Sequence, residues 1–195
     1  LCEAEEAEND KIANYILNAF KKEQLAKITN PVHKKNLNRI VFSNQEIPAT
    51  GFNESNFARK FNAARPIYGM IFLPSKLKYL YIGRGGCGPE WNPGGYDVYI
   101  QLKDQNESVR VVEAGIAEKY NESTTLPIRV NTNDADKWLF RKFFSRLKNG
   151  ENEAKIKIEV GSEDVVFEDD ITLVRKEGEV YKTSSSFDDF EAAMH

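Results

Sequence analysis

The sequence predicts a mainly β protein: an antiparallel β-sandwich, Ig-like or similar, with an N-terminal helix and one helix inserted at about 134–148. Three observations carry this. Short runs of period-two apolar alternation recur from about residue 38, separated by Gly, Pro, Asn and Asp turn signals. Only two segments show sustained helical periodicity. Strand–helix–strand alternation is absent, which argues against a doubly wound parallel sheet.

Residues 3–28 read as a helix, because Ile12, Ile16, Ala19, Phe20 and Ile28 recur near helical spacing. Thr29-Asn30-Pro31 stops it, since the residue before a proline disfavours the α region. Its apolar stripe is thin, as expected of a tether running into a helix docked on a larger body. Strands are expected at 39–43, 66–73, 78–82, 96–102, 109–113, 126–130, 154–160, 165–167 and 171–174. In 96–102, Tyr96, Val98, Ile100 and Leu102 share one face; Asp97, Tyr99 and Gln101 share the other.

Residues 134–148 break the strand pattern. Trp138, Leu139, Phe140, Phe143, Phe144 and Leu147 form a wide apolar face, and Arg141, Lys142, Arg146 and Lys148 crowd the C-terminal half. Such a stripe predicts a helix covering the sandwich. The Ser-rich tail suits a short terminal helix near 186–190. The division expected is a tether and helix at 1–30, a sandwich at 31–182 and a tail at 183–195.

The chain has 195 residues, a net charge of −3 and a pI of about 5.6. That length builds one domain with a core of its own. A basic excess is missing, so nucleic acid is not an expected partner. No apolar run approaches the roughly 18 residues that read as a membrane span.

The densest local signal is Gly83 to Gly95, with six of the twelve glycines and two of the seven prolines. That composition fits a shaped loop. Gly83, Gly85 and Gly88 match the letters of a dinucleotide fingerprint, but Pro89, Pro93 and a strand follow where a helix is required. Trp91 and Arg84 lie in the loop, and Tyr79, Tyr81, Tyr96 and Tyr99 lie in the flanking strands. Aromatic rings with a polar edge suit a glycan or a protein surface; packing of the same rings inside the sandwich is the structural alternative.

Catalytic and metal signals are sparse. Cys87 as a nucleophile needs a base, and only His33, in a basic loop, and the terminal His195 are offered. Two Cys and two His, widely separated, make no local zinc pattern, and no cofactor is expected. Glu163-Asp164 and Glu168-Asp169-Asp170 carry oxygen ligands without EF-hand spacing and read as a solvated turn. No G-x-S-x-G elbow is present. A carboxylate pair assembled by the fold is not visible to sequence spacing. Three Asn-Glu-Ser triplets, at Asn53, Asn106 and Asn121, mark surface loops.

Leu1-Cys2, followed by the acidic tract Glu3 to Asp10, resembles the junction of a bacterial lipoprotein, in which the Cys carries the lipid. The resemblance rests on these few residues. It implies a membrane tether through Cys2 and an extracytoplasmic place. Read from the residues alone, Cys2 is a lipid carrier, a disulfide partner of Cys87 or a free thiol. The expectation is thus a non-catalytic extracytoplasmic module that binds a protein or glycan through the aromatic glycine-rich loop. Two other readings stand beside it: a polymer-directed hydrolase, and a structural component of a membrane-attached assembly.

Overall fold

The structure is a computed structural model that describes residues 7–48, 51–80, 93–131, 134–161 and 165–181. Two sheets make the fold expected, a mainly antiparallel β-sandwich. The first holds β1 (Ile40–Ser43), β2 (Phe57–Ala58), β4 (Ile67–Phe72) and β7 (Thr125–Val130), in the order β2-β1-β4-β7. The second holds β3 (Lys60–Asn62), β5 (Gly95–Leu102), β6 (Ser108–Gly115), β8 (Gly150–Val160) and β9 (Val165–Arg175), in the order β3-β9-β8-β5-β6. Ile40, Phe42, Ile71 and Ile128 from the first sheet join Val98, Ile100, Ile156, Ile158 and Leu173 from the second in one core. Each such side chain removed from water contributes roughly 1.5–3 kcal/mol.

Among the described residues, three α-helices decorate the sandwich: α1 (Ala7–Ala26), α2 (Pro31–Lys35) and α3 (Asp134–Phe144). The last buries Phe140, Phe143, Phe144 and, just beyond its end, Leu147. It therefore takes the covering role its stripe predicts. Tyr181, after β9, packs on Phe140 and Phe144 with centroids 5.8 and 5.2 Å away, and its hydroxyl donates to Asn131. Among the described residues, no helix is long and apolar enough to cross a membrane.

Several expectations are corrected. The run 78–82 is not a strand where described: Leu77–Tyr79 is a single 3-10 turn. Backbone bonds from Leu77 to Ser123 and from Lys78 to Asn121 hold it in that form, so tertiary pairing overrides an aromatic β signal. The runs 165–167 and 171–174 are one continuous strand, and the acids between them form no turn. Lys155 bonds Glu168 at 3.2 Å, Lys103 approaches Asp170 at 3.4 Å, and Arg59 grips Asp169 with two bonds of 2.6 and 3.0 Å. Cross-strand cations let an acidic run lie in a sheet.

Helix α2 and strands β2 and β3 went unread. Asn30, seen as part of a stop, is also a start: its Oδ1 accepts from Val32 and His33 backbone N–H at 2.9 and 3.1 Å, with Pro31 in the first turn. His33 is consequently not in a loop but buried. Strand β3 pairs parallel to β9, and Arg59 is the corner where the chain changes sheets.

The two sheets present different outer faces. That of the first sheet is covered: Met70 and Phe72 pack with Ile47, Val32, Phe52 and Phe57, and His33 lies edge-on to Phe72 at 5.0 Å. That is why β4 reads as an almost unbroken apolar run. The outer face of the second sheet is charged.

Candidate functional site

Strand β5 leaves the glycine-rich segment and runs through this charged face between β8 and the edge strand β6. Two structural demands act where the segment meets the strand. Gly94 has φ +68, and a Cβ on Gly95 would stand 2.8 Å from the Ala114 carbonyl oxygen. These two glycines are required by the backbone itself.

Side chains then alternate as the sequence indicates. Tyr96, Val98, Ile100 and Leu102 turn inward; Asp97, Tyr99 and Gln101 turn outward. Register sets their neighbours. Asp97 lies between Glu113 of β6 and Glu159 of β8, and Tyr99 lies between Arg110 and Lys157. A row of three carboxylates thus borders a row of two cations and a phenol.

The electrostatics of these rows are uneven. Arg110 bonds Glu113 at 3.0 Å but stands 3.6 Å from Asp97 Oδ1, beyond hydrogen-bond length. Lys157 pairs with Glu159, whose side chain is only 6 % exposed, and its ammonium sits 4.9 Å above the Tyr99 ring. Asp97 is left as the weak point. Its side chain is 26 % exposed, yet Oδ1 is enclosed and has no hydrogen-bond partner. Burial pushes its proton affinity above that of an ordinary carboxyl; Arg110 opposes the shift, and Glu113 and Glu159 add to it. Burial, then the charges of Asp97 and Glu159, also raise the Tyr99 pKa, so its phenol stays neutral. Such a face offers an aromatic ring, an acceptor oxygen lacking a donor, and cations at the next step of the sheet. It can receive hydroxyl, amide or cationic groups.

The tyrosines named from the sequence do not share one surface. Tyr96 is a core residue, 9 % exposed. Tyr79 sits in its 3-10 turn, edge-on to Phe20 of α1 at 5.2 Å. Tyr99 alone of the described three stands on the outer face of β5. Tyr81, Arg84, Trp91, Cys87 and Cys2 lie outside the described residues. Asp97, Arg110, Glu113, Lys157 and Glu159 were not among the residues singled out. The alternation of 96–102 already placed Asp97 beside Tyr99, but partners 11 to 62 residues away come only from strand register.

His33 Nε2 donates to the Leu73 carbonyl at 2.9 Å, a structural bond that occupies this nitrogen. Among the described residues, no group of three or more His, Cys, Asp or Glu is placed to hold a metal ion.

Fold and face together define the class, a two-sheet β-sandwich with one covered outer face and one charged, tyrosine-bearing outer face. Compared with models of known families, with curated proteins and with solved structures, the chain matches none.

Proposed function

We propose that this protein is a non-catalytic extracytoplasmic binding module that recognises a protein or glycan ligand. The contact surface is the outer face of β5 around Asp97 and Tyr99. The enclosed, unbonded Oδ1 of Asp97 beside the Tyr99 ring carries this reading. A carboxylate oxygen without a donor is a cost to the fold, and the exposed remainder of the same side chain, 26 % open to solvent, is what a ligand donor reaches. The extracytoplasmic place and the tether through Cys2 rest on the Leu1-Cys2 resemblance.

The test has two arms. Binding is screened on a glycan array and a displayed peptide library, then repeated with Asp97→Asn and Tyr99→Ala. A true ligand loses at least about tenfold in affinity with either variant, the scale of one buried contact. Stability is measured in parallel. With its proton affinity raised, Asp97 binds its proton more tightly in the fold than in the unfolded chain. Its ionisation therefore lowers stability as pH rises from the ordinary carboxyl range through the folded pKa. Asp97→Asn is expected to gain about 1 kcal/mol at pH 7, with the gain shrinking towards pH 4. A ligand indifferent to both variants, with no gain for Asp97→Asn, overturns the proposal.

One observation favours a second reading, a hydrolase acting on a glycan or peptide polymer. Asp97 and Glu159 are direct cross-strand neighbours, and Asp97 has the raised proton affinity of an acid catalyst. Release of reducing ends or new amino termini from a polymer, lost in Asp97→Asn, would replace the binding module with this reading.

A further inference from the structure

Helix α1 meets the body unevenly. Gln24 and, two residues past its end, Ile28 are buried, while Phe20 reaches Tyr79 only by its ring edge. Beside that contact is a cavity of about 350 Å³. Phe20 and Leu25 form its helix wall, and Leu80 and Phe167 line the body side. Cavities of roughly 300–1,000 Å³ with apolar walls and a few polar groups are those that hold small ligands.

Asn38, Tyr79, Ser75 and Lys21 are the polar residues of this cavity's lining, and the last two bear on its selectivity. Ser75 is 8 % exposed, and its hydroxyl makes one long bond of 3.2 Å to the Lys76 carbonyl. Lys21 also lines the cavity; among the described residues its ammonium has no carboxylate partner. A neutral hydroxyl and an unpaired cation beside apolar walls select an anion with an apolar body. The body leaves water while the charge stays at the rim.

We propose that this cavity binds a small amphipathic monocarboxylate the size of octanoate. Its carboxylate meets Lys21 and accepts from the Ser75 hydroxyl, and its chain lies among Phe20, Leu80 and Phe167. The site shares no residue with the Asp97–Tyr99 face and stands independently of the function proposed there.

Isothermal titration of the full chain with octanoate, octanol and octylamine tests it. Octanoate is expected to bind at one saturable site, tighter than octanol, with octylamine weakest. Lys21→Glu, at an exposed position, weakens octanoate about fivefold, the worth of a partly exposed ion pair, and leaves octanol unchanged. Leu25→Trp fills the cavity from a position 39 % exposed and abolishes both. Melting curves of both variants show that they remain folded. The proposal fails if octanoate gives no saturable heat up to about 10 mM. It fails equally if the three probes bind alike, or if Lys21→Glu leaves octanoate affinity unchanged.

Discussion

Helices α1 and α3 dock on the same sandwich and use their apolar residues in opposite ways. In 11 residues α3 sends Phe140, Phe143 and Phe144 into the core at 1–3 % exposure or less. Among its described side chains α1 leaves Tyr15 76 % and Leu25 39 % exposed, with Phe20 half-buried. Length is therefore a poor guide to how much a helix holds together. What matters is whether the apolar side chains fall at i, i+3 and i+4 and whether a surface exists to receive them. Three closely spaced phenylalanines make α3 a part of the core. The described end of α1 packs more thinly, and a cavity stands beside Phe20.

The largest expected effect tests that contrast directly. Phe143→Ala, at 1 % exposure, empties a site in the main hydrophobic core and should lower stability by about 3–5 kcal/mol in urea unfolding. Phe20→Ala should lose no more than about 1 kcal/mol, because its ring is only partly buried. Equal losses would make α1 a core element and dissolve the distinction.

A second test asks how firmly the body beneath α1 is built. His33 sits in α2, five residues after α1's buried anchor at Ile28. Burial lowers its pKa below the ordinary 6.5, and the bond to Leu73 offsets this only in part. The folded protein therefore holds a neutral imidazole while the unfolded chain takes up a proton. Stability is complete above about pH 6.5 and falls as pH drops through that value towards the folded pKa. Thermal melts from pH 7.5 to 5 should show a loss that His33→Gln, which keeps a donor towards Leu73, flattens by about 1 kcal/mol. An unchanged slope in that variant would mean that His33 is solvated and the α2 layer is as loose as α1.

The same contrast explains what was legible in the sequence. The stripe of α3 and the alternation of β5 were readable because each element meets its environment with its own period. Residues 168–170 read as a turn because Lys155, Lys103 and Arg59, which make an acidic strand tolerable, come from β8, from the end of β5 and from the corner between β2 and β3. Tyr79 was misread because its turn is fixed by backbone bonds to residues 121 and 123. Of the candidate site, Tyr99 and its loop drew notice through composition, whereas Asp97 looked like one more exposed acid. Only register, which puts Glu113 and Glu159 on either side of it, reveals the enclosed oxygen.

The smallest expected effect bears on how α3 is held. Past the end of the helix, Arg146 bonds Glu107 in the β5–β6 turn at 2.9 Å, with side chains 35 % and 71 % exposed. Solvent screens such a pair, so Arg146→Ala should lose only about 0.2–1 kcal/mol, and less still in 0.5 M salt. A double-mutant cycle with Glu107→Ala isolates the coupling. A coupling near 3 kcal/mol would mean that charge as well as aromatic burial pins this end. In that case α3 and α1 would differ in their electrostatic anchoring and not only in the spacing of their apolar side chains.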